Sequence, residues 1–277
     1  MPQITNESSN SDKSWDHSSS DQFYEYYAEQ SASDESIARA KRTRELVLRL
    51  RGYDRASGPL NVLDIGSNAG TFSMLWAEDG HNVIGVDINE RLIHLAIERA
   101  KGAGADVDFR VGSATDLPVE SESVDVCISP ELLEHVAEWE KCLDEFARVL
   151  KPNGTLFLTT TNKLCPRQME FNLPLYSWYP GFAKRYFERL AVTTRPSLAN
   201  YATYPAVNWF SFYSLRDELQ KRGMSSLDRF DVMDLASASR IKLSVVAIIR
   251  RFALVRWVAQ ACTPSSIVVA TKLDAAL

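Results

Sequence analysis

Several features are absent from this sequence, and their absence argues against some classes of protein before any motif is considered. The 277-residue chain has no surplus of basic residues, because its formal net charge at pH 7 is −5. A protein that coats nucleic acid carries excess Lys and Arg to neutralise phosphates. The four cysteines form no CxxC pair, which favours reduced thiols over a disulfide framework or a zinc site. These absences argue against a nucleic-acid partner and favour chemistry on small molecules.

Uninterrupted apolar runs are also short. The longest candidate, residues 243–249, ends at Arg250 and Arg251, well before the roughly 18 residues that a transmembrane helix needs. Residues 1–20 are dominated by Ser, Asn and Asp and lack the basic and apolar regions of a signal peptide. We therefore expect a cytoplasmic protein whose residues 1–20 form a disordered tail.

The middle of the chain alternates short apolar runs with amphipathic segments. This alternation is typical of βαβ units, and it predicts an α/β fold with a Rossmann-like, doubly wound and mainly parallel sheet over residues 59–161. Residues 21–58 show a helical pattern rich in Arg, which predicts a helical lead-in to that core. The predicted strands cover residues 61–65, 82–87, 107–111, 124–129 and 155–160, with helices after Asn89 and over residues 139–150.

The chain changes character after Thr161. Residues 162–210 contain many aromatic residues and few predicted regular elements, which is typical of a binding loop or lid. We expect this insertion to build the pocket for a second ligand, the substrate, beyond the carboxyl ends of the strands. Residues 211–277 are predicted to complete the sheet, with a helix at 211–222, a strand near 229–232, an apolar and basic helix at 240–261 and a last strand at 267–271.

Residues 240–261 allow two interpretations. Apolar residues such as Ile241 and Val245 fall on one stripe at helical spacing, and basic residues flank that stripe. Such a helix can rest on a membrane surface or guard a lipid-like acceptor. Leu254 and Trp257 make the opposite side apolar too, which a helix buried between the sheet and a lid would also show. The pattern alone leaves both interpretations open.

A glycine turn follows the first predicted strand. The segment V-L-D-I-G at 62–66 runs into a turn that ends at Gly70, where missing Cβ atoms let a ligand approach the backbone closely. Asp87 ends the second strand about twenty residues later, a spacing at which a carboxylate can bind the ribose of an adenosine cofactor. Alternatively, the turn is a ligand-free βα connection, and Asp87 is an acid at a helix N-terminus.

Two residues distinguish between the adenosine cofactors. A dinucleotide-binding turn has a second glycine where Asn68 stands, and the carboxylate of Asp64 would repel a pyrophosphate. A cofactor that carries an ammonium group and a sulfonium suits Asp64 better. A nicotinamide-dependent oxidoreductase is therefore the disfavoured alternative.

Taken together and in this order, the motifs resemble those of the class I S-adenosylmethionine-dependent methyltransferases. The resemblance covers roughly residues 60–161. It rests on V-L-D-I-G at 62–66, G-V-D-I at 85–88, G-S-A-T-D-L-P at 112–118, L-E-H-V at 133–136 and R-V-L-K-P-N-G at 148–154. Within the family, E-L-L-E-H at 131–135 is similar to the E-x-x-E-H stretch of the ubiquinone-biosynthesis O-methyltransferases.

The resemblance implies a role for individual residues in binding S-adenosyl-L-methionine. One group would contact the methionine part of the cofactor, with Asp64 near its amino group and Gly66, Ser67 and Gly70 beneath it. Asn68 of the same turn is also an expected cofactor-binding residue. A second group would contact the rest, with Asp87 on the ribose, Ile88 beside the adenine, Ser113 and Ala114 at the adenine edge, and Pro130 facing the methyl-bearing sulfur. Many relatives have Asp where Ser113 stands, so this chain departs from the family at the adenine amino contact.

In the ubiquinone-biosynthesis O-methyltransferases the E-x-x-E-H stretch is associated with a divalent cation, so the resemblance makes Glu131, Glu134 and His135 the candidate metal ligands. Residues at i, i+3 and i+4 share one face of a helix, so a helix here would let two carboxylates and an imidazole hold a divalent cation such as Mg²⁺. Alternatively, a helix starts at Pro130, and Glu131 only meets the positive end of its dipole. His135 is also the candidate general base, because a near-neutral pKa suits proton abstraction. A structural histidine is the alternative.

The sequence thus predicts an enzyme that transfers a methyl group from S-adenosyl-L-methionine to oxygen of a small, aromatic or lipid-like acceptor. The alternative is a non-catalytic protein on the same fold that binds the cofactor or acts as a membrane adaptor. We expect a small-molecule acceptor and no nucleic-acid partner. Residues 240–261 would supply peripheral membrane contact, and the sequence leaves the oligomeric state open.

Overall fold

The computed structural model describes residues 21–168, 170–199 and 206–274, so the predicted tail over residues 1–20 lies outside the described residues. Within the described residues, seven strands form one sheet in the order β3-β2-β1-β4-β5-β7-β6. The strands are β1 (Asn61–Ile65), β2 (Asn82–Asp87), β3 (Asp108–Val111), β4 (Val124–Pro130), β5 (Leu150–Thr161), β6 (Met224–Asp228) and β7 (Ser265–Lys272). The first five run parallel, and β7 pairs antiparallel with both β5 and β6. The predicted Rossmann-like α/β fold is confirmed.

Helices cover both faces of this sheet. They are α1 (Asp21–Ser31), α2 (Asp34–Leu50), α3 (Thr71–Glu78), α4 (Glu90–Ala103), α5 (Trp139–Val149), α6 (Gly181–Thr193), α7 (Phe212–Lys221), α8 (Arg229–Val232), α9 (Arg240–Arg251) and α10 (Ala253–Ala261). Phe146 of α5 and Leu215 of α7 belong to one apolar core. Val47 of α2 and Trp76 of α3 belong to a second one. Strands buried between such layers are apolar on both faces, which explains the continuous apolar runs of the sequence.

The predicted strand near residues 229–232 is wrong. The strand there is β6, which ends at Asp228, and residues 229–232 form α8. The carboxylate of Asp228 accepts hydrogen bonds from the backbone N–H groups of Phe230 at 2.8 Å and Asp231 at 3.1 Å. This capping arrangement satisfies the first free N–H groups of a helix and so starts a helical turn where the apolar run had indicated a strand.

The predicted single helix over residues 240–261 is two helices, α9 and α10, separated at Phe252. Phe252 adopts an extended conformation with φ −116° and ψ 113°, which interrupts the helical hydrogen bonding. Only Val246 and Gln260 are buried in the two helices. The interpretation of this segment as a buried helix is therefore wrong, and its apolar residues face outward.

The segment between β5 and α7 contains a helix that the sequence pattern did not indicate. Besides α6, short 3₁₀ turns at Tyr176–Trp178 and Pro196–Ala199 shape its described part. Phe171 stacks on Tyr176 with 4.0 Å between ring centroids. Aromatic side chains thus supply a small core of their own for this segment, separate from the two cores of the sheet.

The lead-in helices pack against the N-terminal end of α3 and against α4. Thr71, the first residue of α3, donates a hydrogen bond to the carbonyl of Ser31 at the end of α1. Arg99 of α4 donates to the side chain of Ser31 at 2.8 Å and to the carbonyl of Ala28 at 2.9 Å. These contacts place the junction of α1 and α2 next to the turn that joins β1 to α3.

Candidate active site

The β1–α3 turn has the backbone conformation that its glycines permit. Gly66 and Gly70 have φ values of 75° and 84°, in the left-handed region. A Cβ on Gly70 would lie 2.7 Å from the ring of Phe109, so this position has no room for a side chain. The N–H groups of Gly66 and Ser67 donate to the carbonyl of Val86 at 2.8 and 3.0 Å. The turn is thereby held against the end of β2.

Asp87 connects this turn to the loop that follows β2. One of its carboxylate oxygens accepts a hydrogen bond from the N–H of Asn68 at 2.9 Å, and the other accepts one from the N–H of Asn89 at 2.8 Å. Burial raises the pKa of Asp87, and the backbone hydrogen bonds oppose that rise. Each carboxylate oxygen has two acceptor sites, so both retain capacity for the hydroxyls of a ligand.

Asp64 is buried at the end of β1, with 1% of its surface exposed. Its carboxylate accepts a hydrogen bond from the hydroxyl of Ser73 in α3 at 2.6 Å. Burial raises the pKa of Asp64 to about 7, and the hydrogen bond from Ser73 limits the rise. A cation brought beside Asp64 would favour its ionised form.

The residues predicted to surround the adenine lie around the end of β2. Ile88 follows Asp87 directly and is half-buried. The N–H of Gly112 donates to the carbonyl of Asp87 at 3.0 Å, which brings the loop with Ser113 and Ala114 alongside. The hydroxyl of Ser113 lies 2.7 Å from that of Thr115, so the loop is partly closed by its own side chains.

The loop after β4 reaches over the glycine turn. Pro130 is the last residue of β4, and Glu131 takes a left-handed φ of 53°. Such a conformation is rare for a residue with a side chain and often occurs at functional sites. The side chain of Leu132 then lies over the turn, because its Cδ1 is 3.2 Å from where a Cβ on Gly66 would be. The ends of β1 and β4 thus meet at this point.

The three candidate metal ligands do not converge. The helix on which that prediction relied is absent, because β4 continues to Pro130 and a single 3₁₀ turn covers Leu133–His135. Glu131 forms an ion pair with Arg39 of α2 at 2.5 Å. Glu134 instead accepts a hydrogen bond from the hydroxyl of Thr160 at 2.9 Å. In the part of the chain that the structure describes, no group of three His, Cys, Asp or Glu residues is arranged to hold a metal ion.

The described end of the aromatic insertion fixes the loop that carries His135. The side-chain amide of Asn208 donates to the carbonyls of Leu133 at 2.9 Å and Val136 at 2.6 Å. The N–H groups of Val207 and Asn208 donate to the carbonyl of Glu134 at 2.9 and 3.0 Å. His135, the predicted base, lies half-buried in the middle of this clamp. The insertion therefore reaches the loop that follows β4.

Two acidic residues with raised pKa values lie in this region, and sequence reasoning named only one of them, Glu134; it missed Glu170. Glu134 is 1% exposed, and burial raises its pKa to about 8. Glu170 of the insertion has its pKa raised to about 7 by burial and by the charge of Glu131. No local pattern could have found Glu170, because it follows an irregular stretch of the sequence. The acidic residues that interact electrostatically with Glu170 are Glu131 and Glu134, and both lie almost forty residues earlier in the chain.

The polar groups around this edge of the sheet fit a bound cofactor. Three buried side-chain atoms there have no hydrogen-bond partner: the hydroxyls of Ser67 and Ser129 and the amide nitrogen of Asn89. Ser67 follows β1, Asn89 follows β2, and Ser129 is the residue before the end of β4. Buried polar groups are normally satisfied. A polar ligand at the carboxyl ends of these strands would provide the missing partners.

Known proteins resemble the part of the chain that holds this site. Residues 63–158 match the family model described as a methyltransferase domain. A ubiquinone biosynthesis O-methyltransferase of Rhizobium rhizogenes is 38% identical over 104 residues, which are 38% of this chain and 42% of the relative. The chain thus matches less than half the length of this curated relative.

Solved structures extend the likeness in fold. An S-adenosylmethionine-dependent methyltransferase of Mesorhizobium loti superposes with a TM-score of 0.53 at 15% identity, covering 81% of this chain and 95% of that one. A phospholethanolamine N-methyltransferase of Haemonchus contortus, in complex with S-adenosylhomocysteine, gives a TM-score of 0.53 at 18% identity over 84% of this chain and 53% of its own. In sequence, residues 63–158 thus match a methyltransferase domain, and in fold the chain resembles S-adenosylmethionine-dependent methyltransferases.

Proposed function

We propose that this chain binds S-adenosyl-L-methionine at the carboxyl ends of β1, β2 and β4 and transfers its methyl group to oxygen of a small acceptor. One observation carries the proposal. The buried carboxylate of Asp87 holds the backbone of Asn68 and of Asn89 with one oxygen each. A single acidic group thereby joins the glycine turn to the end of β2, where the family binds a ribose.

The residues of the turn suit the other end of the cofactor. Asp64 supplies a carboxylate beside the turn, and an ammonium group placed there would lower the pKa of Asp64 and be stabilised by its charge. Gly66 and Gly70 keep the backbone open to close approach. When bound, the cofactor supplies an electrophilic sulfonium methyl group. The protein contributes by holding both reactants in line and excluding water.

The environment of the site favours an uncharged, apolar or aromatic acceptor. Glu134 is 1% exposed, and burial raises the pKa of both Glu134 and Glu170, so a further charge placed among these groups would be penalised. The relatives named as O-methyltransferases support oxygen as the acceptor atom. An oxygen nucleophile needs a base, and we assign this role to His135 on the clamped loop.

Calorimetric titration with S-adenosyl-L-methionine tests the cofactor site. Asp87→Ala removes the carboxylate that would accept two hydroxyl hydrogen bonds, and it should weaken binding by about 2–4 kcal/mol. Asp106→Ala, at an exposed acidic residue before β3, is the matched control and should bind like the parent protein. Unchanged affinity in a folded Asp87→Ala protein would refute the assignment.

Transfer of a labelled methyl group to phenols, quinols, sugars and lipids then tests turnover. We expect product with a phenolic, quinol or lipid acceptor and none with sugars. His135→Asn should lower kcat while leaving cofactor affinity unchanged, because it removes the base and not the cofactor site. Tight cofactor binding without turnover on any acceptor would favour the non-catalytic alternative.

A further inference from the structure

The two helices α9 and α10 expose a large apolar surface. Ile241 is 79% exposed and Leu254 is 75% exposed. Single exposed apolar residues are ordinary, but nine of them within residues 241–258, on two helices that contact each other, mark a site of interaction with another molecule or with a membrane. We call this group the α9–α10 surface; it comprises Ile241, Leu243, Val245, Ile248, Phe252, Leu254, Val255, Trp257 and Val258.

The charged side chains of α9 and α10 all have one sign. No Asp or Glu lies between Asp234 and Asp274, although the chain as a whole carries a net charge of −5. Five basic residues lie in the two helices, namely Arg240, Lys242, Arg250, Arg251 and Arg256. The surface therefore combines exposed apolar groups with an excess of positive charge in an otherwise acidic protein.

Some of these cations hold the two helices in place, and others remain at the surface. Arg250 donates to the carbonyl of Phe230 at 2.8 Å, and Arg256 forms an ion pair with Asp228 at 2.7 Å. Arg240, Lys242 and Arg251 are exposed. Arginine and lysine at such positions bury their apolar stems along a surface and extend their charges to lipid phosphates.

From these observations we infer that the α9–α10 surface docks on an anionic lipid bilayer. No helix among the described residues is long and apolar enough to cross a membrane. The helices have 12 and 9 residues, and together they form an amphipathic pair that lies in the plane of the interface. Apolar area and attraction to anionic lipids both contribute to binding of this kind.

A second copy of the chain fits the same surface poorly. In a symmetric dimer, the same patch of one copy faces that of the other. Both facing patches would then carry Arg240, Lys242 and Arg251, and neither α9 nor α10 contains a carboxylate to pair with them. The charge that opposes self-association attracts an anionic membrane.

The docking surface is linked to the edge of the sheet that carries the candidate active site. Asn162 follows the end of β5, and its side-chain amide donates to the carbonyl of Gln260 at 2.9 Å and of Thr263 at 2.8 Å. Gln260 in turn donates to the carboxylate of Asp228 at 2.5 Å. The C-terminal end of α10 is thus fixed beside the carboxyl end of β5. Docking itself does not require methyl transfer, so it can be tested separately.

Co-sedimentation of the full chain with vesicles tests this inference. We expect binding to vesicles of phosphatidylcholine and phosphatidylglycerol at low salt, little binding to phosphatidylcholine alone, and loss of binding as salt screens the charges. Ile241→Glu and Leu254→Glu should each reduce binding at least tenfold. Ile97→Glu, at an exposed apolar residue of α4, is the matched control and should bind like the parent protein.

A charge series and a conservative variant complete the test. Lys242→Glu should weaken binding to anionic vesicles, whereas Lys101→Glu on α4 should not. Trp257→Phe keeps an apolar ring, so it should bind normally but lose much of the tryptophan quenching by brominated lipid. No binding to anionic vesicles at low salt, or equal binding by all variants, would overturn the inference. A dimer in solution that Leu254→Glu dissociates would assign the surface to a second copy instead.

Discussion

Glu134 gives the sharpest test of how burial controls this site. Its pKa is raised from an ordinary 4.5 to about 8 because the carboxyl group is buried. The folded protein therefore keeps a proton that the unfolded chain has already lost. The contribution of Glu134 to the free energy of unfolding is therefore largest below about pH 4.5, and it is lost as the pH rises to about 8. At about 1.4 kcal/mol for each pH unit, the loss reaches at most about 5 kcal/mol.

Glu134→Gln should remove this loss, because glutamine cannot ionise and its carbonyl can still accept the hydroxyl of Thr160. We expect the free energy of unfolding of Glu134→Gln, relative to the parent protein, to rise by about 3–5 kcal/mol between about pH 5 and about pH 9. Asp64, whose raised pKa acts in the same direction, is present in both proteins and cancels in the difference.

Urea unfolding followed by circular dichroism measures this difference, provided that the denaturant slope is the same for both proteins. Glu131→Gln is the matched control, because Glu131 is three residues away and half-exposed in its ion pair with Arg39. Its effect should stay within about 1 kcal/mol across the range, since exposed pairs contribute little. If the free energies of unfolding of Glu134→Gln and of the parent protein change in parallel with pH from about pH 5 to about pH 9, burial does not raise the pKa of Glu134.

Two further predictions concern the glycine turn and the metal. Gly70→Ala should destabilise the protein by about 2–4 kcal/mol, because it combines a left-handed backbone with a Cβ only 2.7 Å from Phe109. In a double-mutant cycle measured by urea unfolding, Gly70→Ala should destabilise the Phe109→Leu protein less than it destabilises the parent protein. Equal destabilisation in both backgrounds would contradict the contact. Once an acceptor is found, methyl transfer should be unaffected by EDTA, because Glu131 pairs with Arg39 and Glu134 with Thr160. Loss of turnover in EDTA that Mg²⁺ restores would show that the loop rearranges to bind a metal.

Local patterns were enough to predict the central sheet and its turns. The bounds of β1 and β2 agree with the prediction, because both strands are short apolar runs that end at residues with a clear structural role. At Ile65 the chain meets Gly66, whose left-handed φ cannot continue a strand. At Asp87 it meets the N-cap residue Asn89, whose side chain accepts the N–H of Leu92. Signals of this kind act between neighbours in the chain.

The same patterns were insufficient at the end of β4. Spacing at i, i+3 and i+4 places Glu131, Glu134 and His135 on one face only if the segment is helical. Pairing of Pro130 with Thr159 of β5 extends the strand instead. Hydrogen bonds from Asn208 then set the following turn. Contacts between residues that are distant in the sequence therefore overrode the local preference for a helix.

By itself, the sequence determined the α/β fold, the glycine turn from Asp64 to Gly70 and the place of Asp87, because each depends on the order of neighbouring residues. Only the tertiary structure decided which side chains meet and which remain exposed. It placed Glu170 in the electrostatic environment of Glu134, and it left α9 and α10 at the surface. Burial and charge depend on every element packed around a residue, and the periodicity of one segment does not contain that information.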